Sequence, residues 1–175
     1  MAKPLSCLAV LVLAVFAAGL FGMVHNQISY SVGSVYFYEF KFAQFRVADP
    51  LHNRTGAALI GWQASWWMGA LMGPILALPA LLIKGTRPYL RACLRGMFYV
   101  AETAFICAFL GLALAVWMPD LTHRLPLLPS SDPQGFLRAA LMHEGAYLGA
   151  GLGLTLALLS IWRARRLQIR SGDFT

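Results

Sequence analysis

The strongest constraint in the sequence is a set of four long apolar runs that carry almost no charge. About 20 mostly apolar residues in a helix span the hydrocarbon core of a bilayer. The runs cover residues 5–24, 57–83, 97–118 and 145–162, and Glu102 is the only charged residue inside them. We therefore predict an all-α membrane protein, a single domain of residues 1–175 built as a bundle of four transmembrane helices.

Composition excludes several other classes of protein. Of the 175 residues, 59% are hydrophobic and 12% are charged, whereas a soluble domain carries about 25% charged residues. The charge is too sparse to cover a soluble surface, which excludes an ordinary soluble enzyme, a coiled coil and a disordered chain.

Basic residues predict the orientation of the spans, because lysine and arginine concentrate in cytoplasmic segments. With both termini inside, the inner segments hold one acid, Asp173, and nine basic residues: Lys3, Lys84, Arg87, Arg91, Arg95, Arg163, Arg165, Arg166 and Arg170. The outer segments balance five basic residues with five acids. Topology and anionic lipid head groups explain the net charge of +7, so no nucleic-acid partner is expected.

Residues 1–24 have an alternative interpretation as a cleaved signal peptide, since Lys3 precedes an apolar stretch with small residues near its end. The run is long for such a signal, which favours a retained anchor. The cysteines, Cys7, Cys93 and Cys107, lack metal-site spacing. We predict that they are apolar packing residues.

Small residues recur every four positions along the spans, which places them on one helix face where backbones can approach closely. The sets are Gly145, Gly149, Gly153 and Ala157; Gly61, Ser65, Gly69 and Gly73; Ala14, Ala18 and Gly22; and Ala104 and Ala108. Packing within the chain is favoured. The alternative is that one groove faces a membrane-protein partner or a second copy of the chain.

The outer segment, residues 26–56, is rich in aromatic residues. The alternation in 28–32, the Gly33-Ser34 pair and the aromatic run after it predict a short β-hairpin. Six aromatic side chains between Tyr36 and Phe45 cannot all face water, so we expect them to cap the mouth of the bundle. The outer loop, residues 119–142, contains four prolines and is predicted to be irregular, with an interfacial helical turn over residues 135–142 as the alternative for its last part.

Two histidines mark a candidate site, because His25 ends the first span and His143 begins the fourth at a similar depth. Histidines and carboxylates that converge from several helices hold metal ions or haem in bundles. His25 and His143, assisted by Glu39 or Glu144, are therefore candidate ligands. The alternative is a structural role in docking the loops, since no paired metal-ligand spacing accompanies them.

Glu102 is the one ionisable group inside a span, and such groups are functional candidates because burying a charge in lipid is costly. A proton-linked transporter is one interpretation, and a single paired carboxylate that joins two helices is the other. No nucleophile–base order and no phosphate loop occurs in the sequence.

Four short elements together resemble a group of small bacterial four-span membrane proteins. They are His25-Asn-Gln27, the aromatic run 35–42, Ser65-Trp-Trp-Met-Gly69 and His143-Glu-Gly-Ala-Tyr147. The group has Asp where this chain has Asn26 and Asn where it has Glu144, and it has a Glu-Tyr-Phe element that this chain lacks. The resemblance implies a bacterial inner-membrane location and one outer-face site containing His25, Gln27, Trp66, Trp67, His143 and Tyr147, without indicating a ligand.

The sequence thus favours a binding or assembly protein that acts on a partner protein or lipid through its aromatic cap. A metal- or haem-binding enzyme at His25 and His143 is the second hypothesis. A transporter that uses Glu102 is the third.

Overall fold

The computed structural model describes residues 3–125 and 129–170, and every regular element within these ranges is helical. In chain order they are α1 (Lys3–Val32), a π-helical turn (Phe37–Lys41), α2 (Phe42–Gln44), a 3-10 turn (Asp49–Leu51), α3 (Arg54–Ala80), α4 (Thr86–Trp117), α5 (Leu121–Arg124) and α6 (Pro133–Arg170). The predicted all-α class is confirmed.

Three helices, α1, α4 and α6, are long and apolar enough to cross a membrane. The fourth long helix, α3, has 27 residues and is about 40 Å long, but it is not in that group. Gln63, three tryptophans and two prolines make it less apolar than the others. A fourth span therefore stays a prediction.

The helices extend well beyond the predicted spans. α1 continues to Val32, just before Gly33, and α4 begins directly after Gly85, whose φ of 85° forms the turn from α3. The last part of the outer loop is helical, in line with the turn considered over residues 135–142, because α6 starts at Pro133 and the Asp132 carboxylate accepts a hydrogen bond from the Gly135 amide. Charge-free windows locate the lipid-soluble part of a helix, whereas capping and turn residues set its ends.

The predicted hairpin is not found in the described residues. Residues 28–32 form the last turn and a half of α1, and the aromatic run forms the π-helical turn and α2. In the π-helical turn the Phe42 amide bonds the Phe37 carbonyl five residues earlier. This spacing places Tyr36 and Phe37 near Lys41 and Phe42, and all four side chains are buried.

The long helices pack as two tight pairs, α1 with α3 and α4 with α6. In the first pair, a Cβ on Gly22 would clash with the Gly61 carbonyl, and one on Gly61 with the Gly22 carbonyl. In the second pair, a Cβ on Gly149 would clash with the Thr103 carbonyl. The Thr103 hydroxyl also donates to the Gly149 carbonyl at 2.8 Å. The small-residue faces therefore pack within one chain, as predicted.

A core at one end of the bundle joins the two pairs. We call this the basic end, since the Lys84–Arg95 and Arg163–Arg170 segments lie there. The core residues are Val10, Leu76, Ala77, Ala80, Ile83, Tyr89, Cys93, Ala157 and Ile161. The Lys3 ammonium donates to the Leu81 and Ile83 carbonyls at 3.3 and 3.2 Å. All three cysteines are free thiols, and Cys93 is buried in this core.

Two neighbouring glycines of α6 test the backbone packing. Gly149→Ala is expected to lower the free energy of unfolding by about 1–3 kcal/mol, because the methyl group forces α6 away from Thr103 and Ala104. Gly151→Ala is the matched control, since nothing lies within 4 Å of a Cβ there. The control should be neutral or stabilising by up to about 1 kcal/mol through helix propensity. Denaturation of the detergent-purified protein measures both, and equal effects would contradict the packing.

Candidate functional site

A cavity of about 130 Å³ lies between the two helix pairs and is lined by residues of α1, α3, α4 and α6. Its lining on α1 runs from Ala14 to Asn26, which is about 18 Å along a helix axis. Most of the lining is alanine, glycine and methionine. We call this space the central cavity.

Polar side chains gather at one end of the central cavity, beneath residues 33–53, which we call the cap. His25 and Asn26 reach it from α1, Lys41 from the cap, and His143 and Tyr147 from α6. The cavity is thus apolar along most of its length and polar at the cap end.

His25 and His143, which the sequence places at a similar depth, lie in contact. Their ring centroids are 4.7 Å apart and the rings are nearly perpendicular. Antiparallel helices of similar length place the last part of α1 beside the first part of α6, which explains the contact.

The nitrogens of His143 already face partners within the protein. Nδ1 lies 2.8 Å from the Ala139 carbonyl oxygen, and Nε2 lies 3.2 Å from Oδ1 of Asn26. The Asn26 amide is held in that orientation, because its Nδ2 donates to the Ala57 carbonyl at 2.9 Å. This chain of contacts connects α6, α1 and α3 across the cap end.

His25 is different, because it is 4% exposed and neither of its nitrogens has a hydrogen-bond partner among the described residues. Its ring stacks on Phe21 at 5.9 Å and lines the central cavity. Buried polar atoms are nearly always paired. An orphaned imidazole beside a cavity is therefore a group that a ligand could satisfy.

The geometry meets only part of what a metal site requires. The two rings are close, but no group of three His, Cys, Asp or Glu residues within the described ranges could hold a metal ion. The Nε2 of His143 faces Asn26 rather than open space. The metal or haem hypothesis for His25 and His143 stays a prediction.

The other residues of the predicted site lie elsewhere. Trp66 and Trp67 are 44% and 49% exposed on α3 and do not line the central cavity. Gln27 donates to the Arg54 carbonyl at 2.8 Å, and Glu144 is exposed. Of the predicted cluster, His25, His143 and Tyr147 line the cavity.

Glu102 lies on an exposed face of α4 and does not line the central cavity. Among the described residues no side chain pairs with it, and its neighbour Thr103 bonds backbone carbonyls instead. A transport role for Glu102 stays a prediction, and the structure places the carboxylate apart from the histidines.

The cap is packed onto the bundle. Tyr36, Phe37 and Phe42 are buried with Phe136 in one aromatic cluster, and the Tyr36 ring lies 5.0 Å from that of His143. Tyr38 is the most exposed aromatic residue of the cap, at 50%. The cap therefore mainly closes the cavity end, and its use as a docking surface stays a prediction.

The Glu39 side chain joins the cap to the segment between α5 and α6. Its carboxylate accepts hydrogen bonds from the Ser131 hydroxyl at 2.6 Å and the Ser131 amide at 3.0 Å. Bonds from Ser130 and Ser131 to the ionised form hold the pKa of Glu39 below its ordinary value of 4.5.

Sequence reasoning missed two residues of the polar end, Asn26 and Lys41. Asn26 is adjacent to His25 in the sequence, and a polar pair at the end of an apolar run is a usable signal. Lys41 is the only cation within an aromatic run, and its burial follows from the π-helical turn, which the alternating pattern conceals.

A substitution at Asn26 tests the polar network. Asn26→Leu removes the hydrogen bond to Ala57 and the contact with His143, and we expect it to lower the free energy of unfolding by about 1–3 kcal/mol. Gln27→Leu is the control, because water replaces its exposed bond to Arg54, and its effect should be within about 0.5 kcal/mol. Denaturation curves of both variants measure the free energy of unfolding. An unchanged value in Asn26→Leu would argue against the network.

The hydrogen bonds to the Glu39 carboxylate predict that the stability of the protein depends on pH. Because the pKa is lower in the folded protein, the stabilisation is fully present above the ordinary pKa and is lost as pH falls through the lowered one. Melting temperatures measured from about pH 6 to about pH 3 should therefore fall more steeply for the wild type than for Glu39→Gln. Parallel curves would mean that the carboxylate does not hold the cap.

Comparisons with protein-family models, with curated proteins and with solved structures find no match for this chain.

Proposed function

We propose that this chain is a four-span membrane protein that binds a single-chain amphiphile in its central cavity, with the polar head of the ligand at His25. The observation that carries the proposal is the buried His25 ring, which has both nitrogens unpaired at the polar end of an otherwise apolar cavity. The described protein atoms offer this ring no partner, so a bound head group supplies one.

The shape of the central cavity favours a chain over a ring system. A volume of about 130 Å³ extends along about 18 Å of helix here. Because a compact cavity of about 150 Å³ holds benzene, this volume takes only about the first six to eight carbons of a chain, and the rest of a longer chain leaves through the open side of the cavity. A space of that length and volume is narrow. Its methionine side chains, Met68, Met72 and Met97, adapt readily to an apolar chain.

The arrangement of the helix ends supports a fourth span at α3. Lys3 at the start of α1 bonds the carbonyls of Leu81 and Ile83, close to the start of α4. α1 and α4 therefore begin at the same end of the bundle. If both cross the membrane, the chain returns between them, and α3 is the helix that returns.

Localisation follows from the same topology. The Gln168 side chain bonds the backbone of Lys84, so α6 ends at the basic end, where α1 begins. Clustered arginines favour the cytoplasmic side for that end. We place the protein in the bacterial inner membrane with both termini in the cytoplasm and the cap outside.

Filling the cavity tests the proposed function. Ala64 lines the central cavity on α3, whereas Ala70 is exposed on the same helix. Ala64→Phe should lower binding of oleic acid and oleyl alcohol at least tenfold by occupying the space for the chain, and Ala70→Phe should leave it unchanged. Titration of delipidated protein in an uncharged detergent, followed by native mass spectrometry, measures the bound fraction. Failure of the wild-type protein to bind either probe would refute the proposal.

A further inference from the structure

Lys41 is a buried cation at the polar end of the central cavity. The residue is 8% exposed, and its ammonium lies 4.9, 5.4 and 5.8 Å from the ring centroids of Phe40, Tyr36 and Phe45. Its one hydrogen-bond partner is neutral, the Gln44 side-chain oxygen at 3.0 Å. An ammonium group has three donors, so two of them are unused.

No carboxylate neutralises Lys41 at contact distance. Within residues 3–125 and 129–170 no Asp or Glu oxygen lies at ion-pair distance from its ammonium. Glu144 acts on Lys41 from farther away, is exposed, and does not line the cavity. Burial lowers the pKa of Lys41, and the attraction of Glu144 offsets part of this effect. A buried charge without a partner is costly.

The two unsatisfied groups line the same end of one cavity. Lys41 offers positive charge and two free donors, and His25 offers one donor and one acceptor in its neutral form. A group that satisfies both must accept hydrogen bonds and carry negative charge. An alcohol or ester head would satisfy the hydrogen bonds and leave the charge unpaired.

We propose that the head group of the ligand is a carboxylate, so that the central cavity takes the carboxyl end of a free fatty acid, with Lys41 and His25 donating to the two carboxylate oxygens. This inference depends on the proposed function, since it names the ligand class for the same cavity. A carboxylate carries one negative charge and matches the single cation that lines the site. A phosphate monoester carries up to two negative charges near neutral pH and would leave one uncompensated.

The test compares head groups on one chain. Oleic acid, oleyl alcohol, methyl oleate and oleyl phosphate are titrated at neutral pH against the delipidated full-length protein in an uncharged detergent. Wild type should prefer oleic acid. Lys41→Gln should weaken oleic acid binding about ten- to a hundredfold, the size expected for one charge-assisted hydrogen bond, and leave oleyl alcohol unchanged. Arg46→Gln, which removes an exposed cation of the cap, controls for net charge.

The outcomes separate the two proposals. If oleic acid and oleyl alcohol bind equally and Lys41→Gln changes neither, the carboxylate inference is wrong while the cavity still binds amphiphiles. Tighter binding of oleyl phosphate would also overturn it. If no probe binds, the proposed function itself fails. If Lys41→Gln does not fold, the comparison of the four probes on the wild-type protein still tests the carboxylate inference, because a preference for oleic acid is measured without any variant.

Discussion

Close backbone contact at glycine is the constraint on which this structure depends. In a bilayer, lipid and leucine are equally apolar, so helices associate where small residues let their backbones meet. Gly22 and Gly61 join α1 to α3, and Gly149 joins α6 to α4 at Thr103. These contacts form two tightly packed helix pairs. The central cavity and the contacts at its two ends lie where one pair meets the other.

The two pairs meet at their ends and stay apart between them. At the basic end, Tyr89 and Leu76 fill the space with Ile161. At the cap end, the contact between His143 and Asn26 joins α6 to α1. Between these contacts the facing residues are mostly alanine and glycine, whose side chains are too short to meet, and the central cavity is the result.

The sequence predicts the part of the fold that depends on periodicity and charge. Small residues four apart identified the packing faces, because this spacing follows from helix geometry. The similar depth of His25 and His143 made them candidates for one site, but depth alone does not determine which helices are neighbours. The cap was mispredicted as a hairpin, since aromatic alternation suggests a strand, whereas the π-helical turn buries Tyr36 with Lys41. Trp66 and Trp67 were expected at the site because of the resemblance, but the helix rotation set by Gly69 turns them outward.

The position of Lys41 shows why the cap is a separate segment. A lysine inside a span is costly to insert, so a cation at the end of an intramembrane cavity is more readily supplied by residues that stay outside the lipid. Lys41 lies between α1 and α3 in the sequence and lines the cavity from the cap, where aromatic rings cover its ammonium. The cation is thus supplied by a separate segment, and the long helices stay apolar.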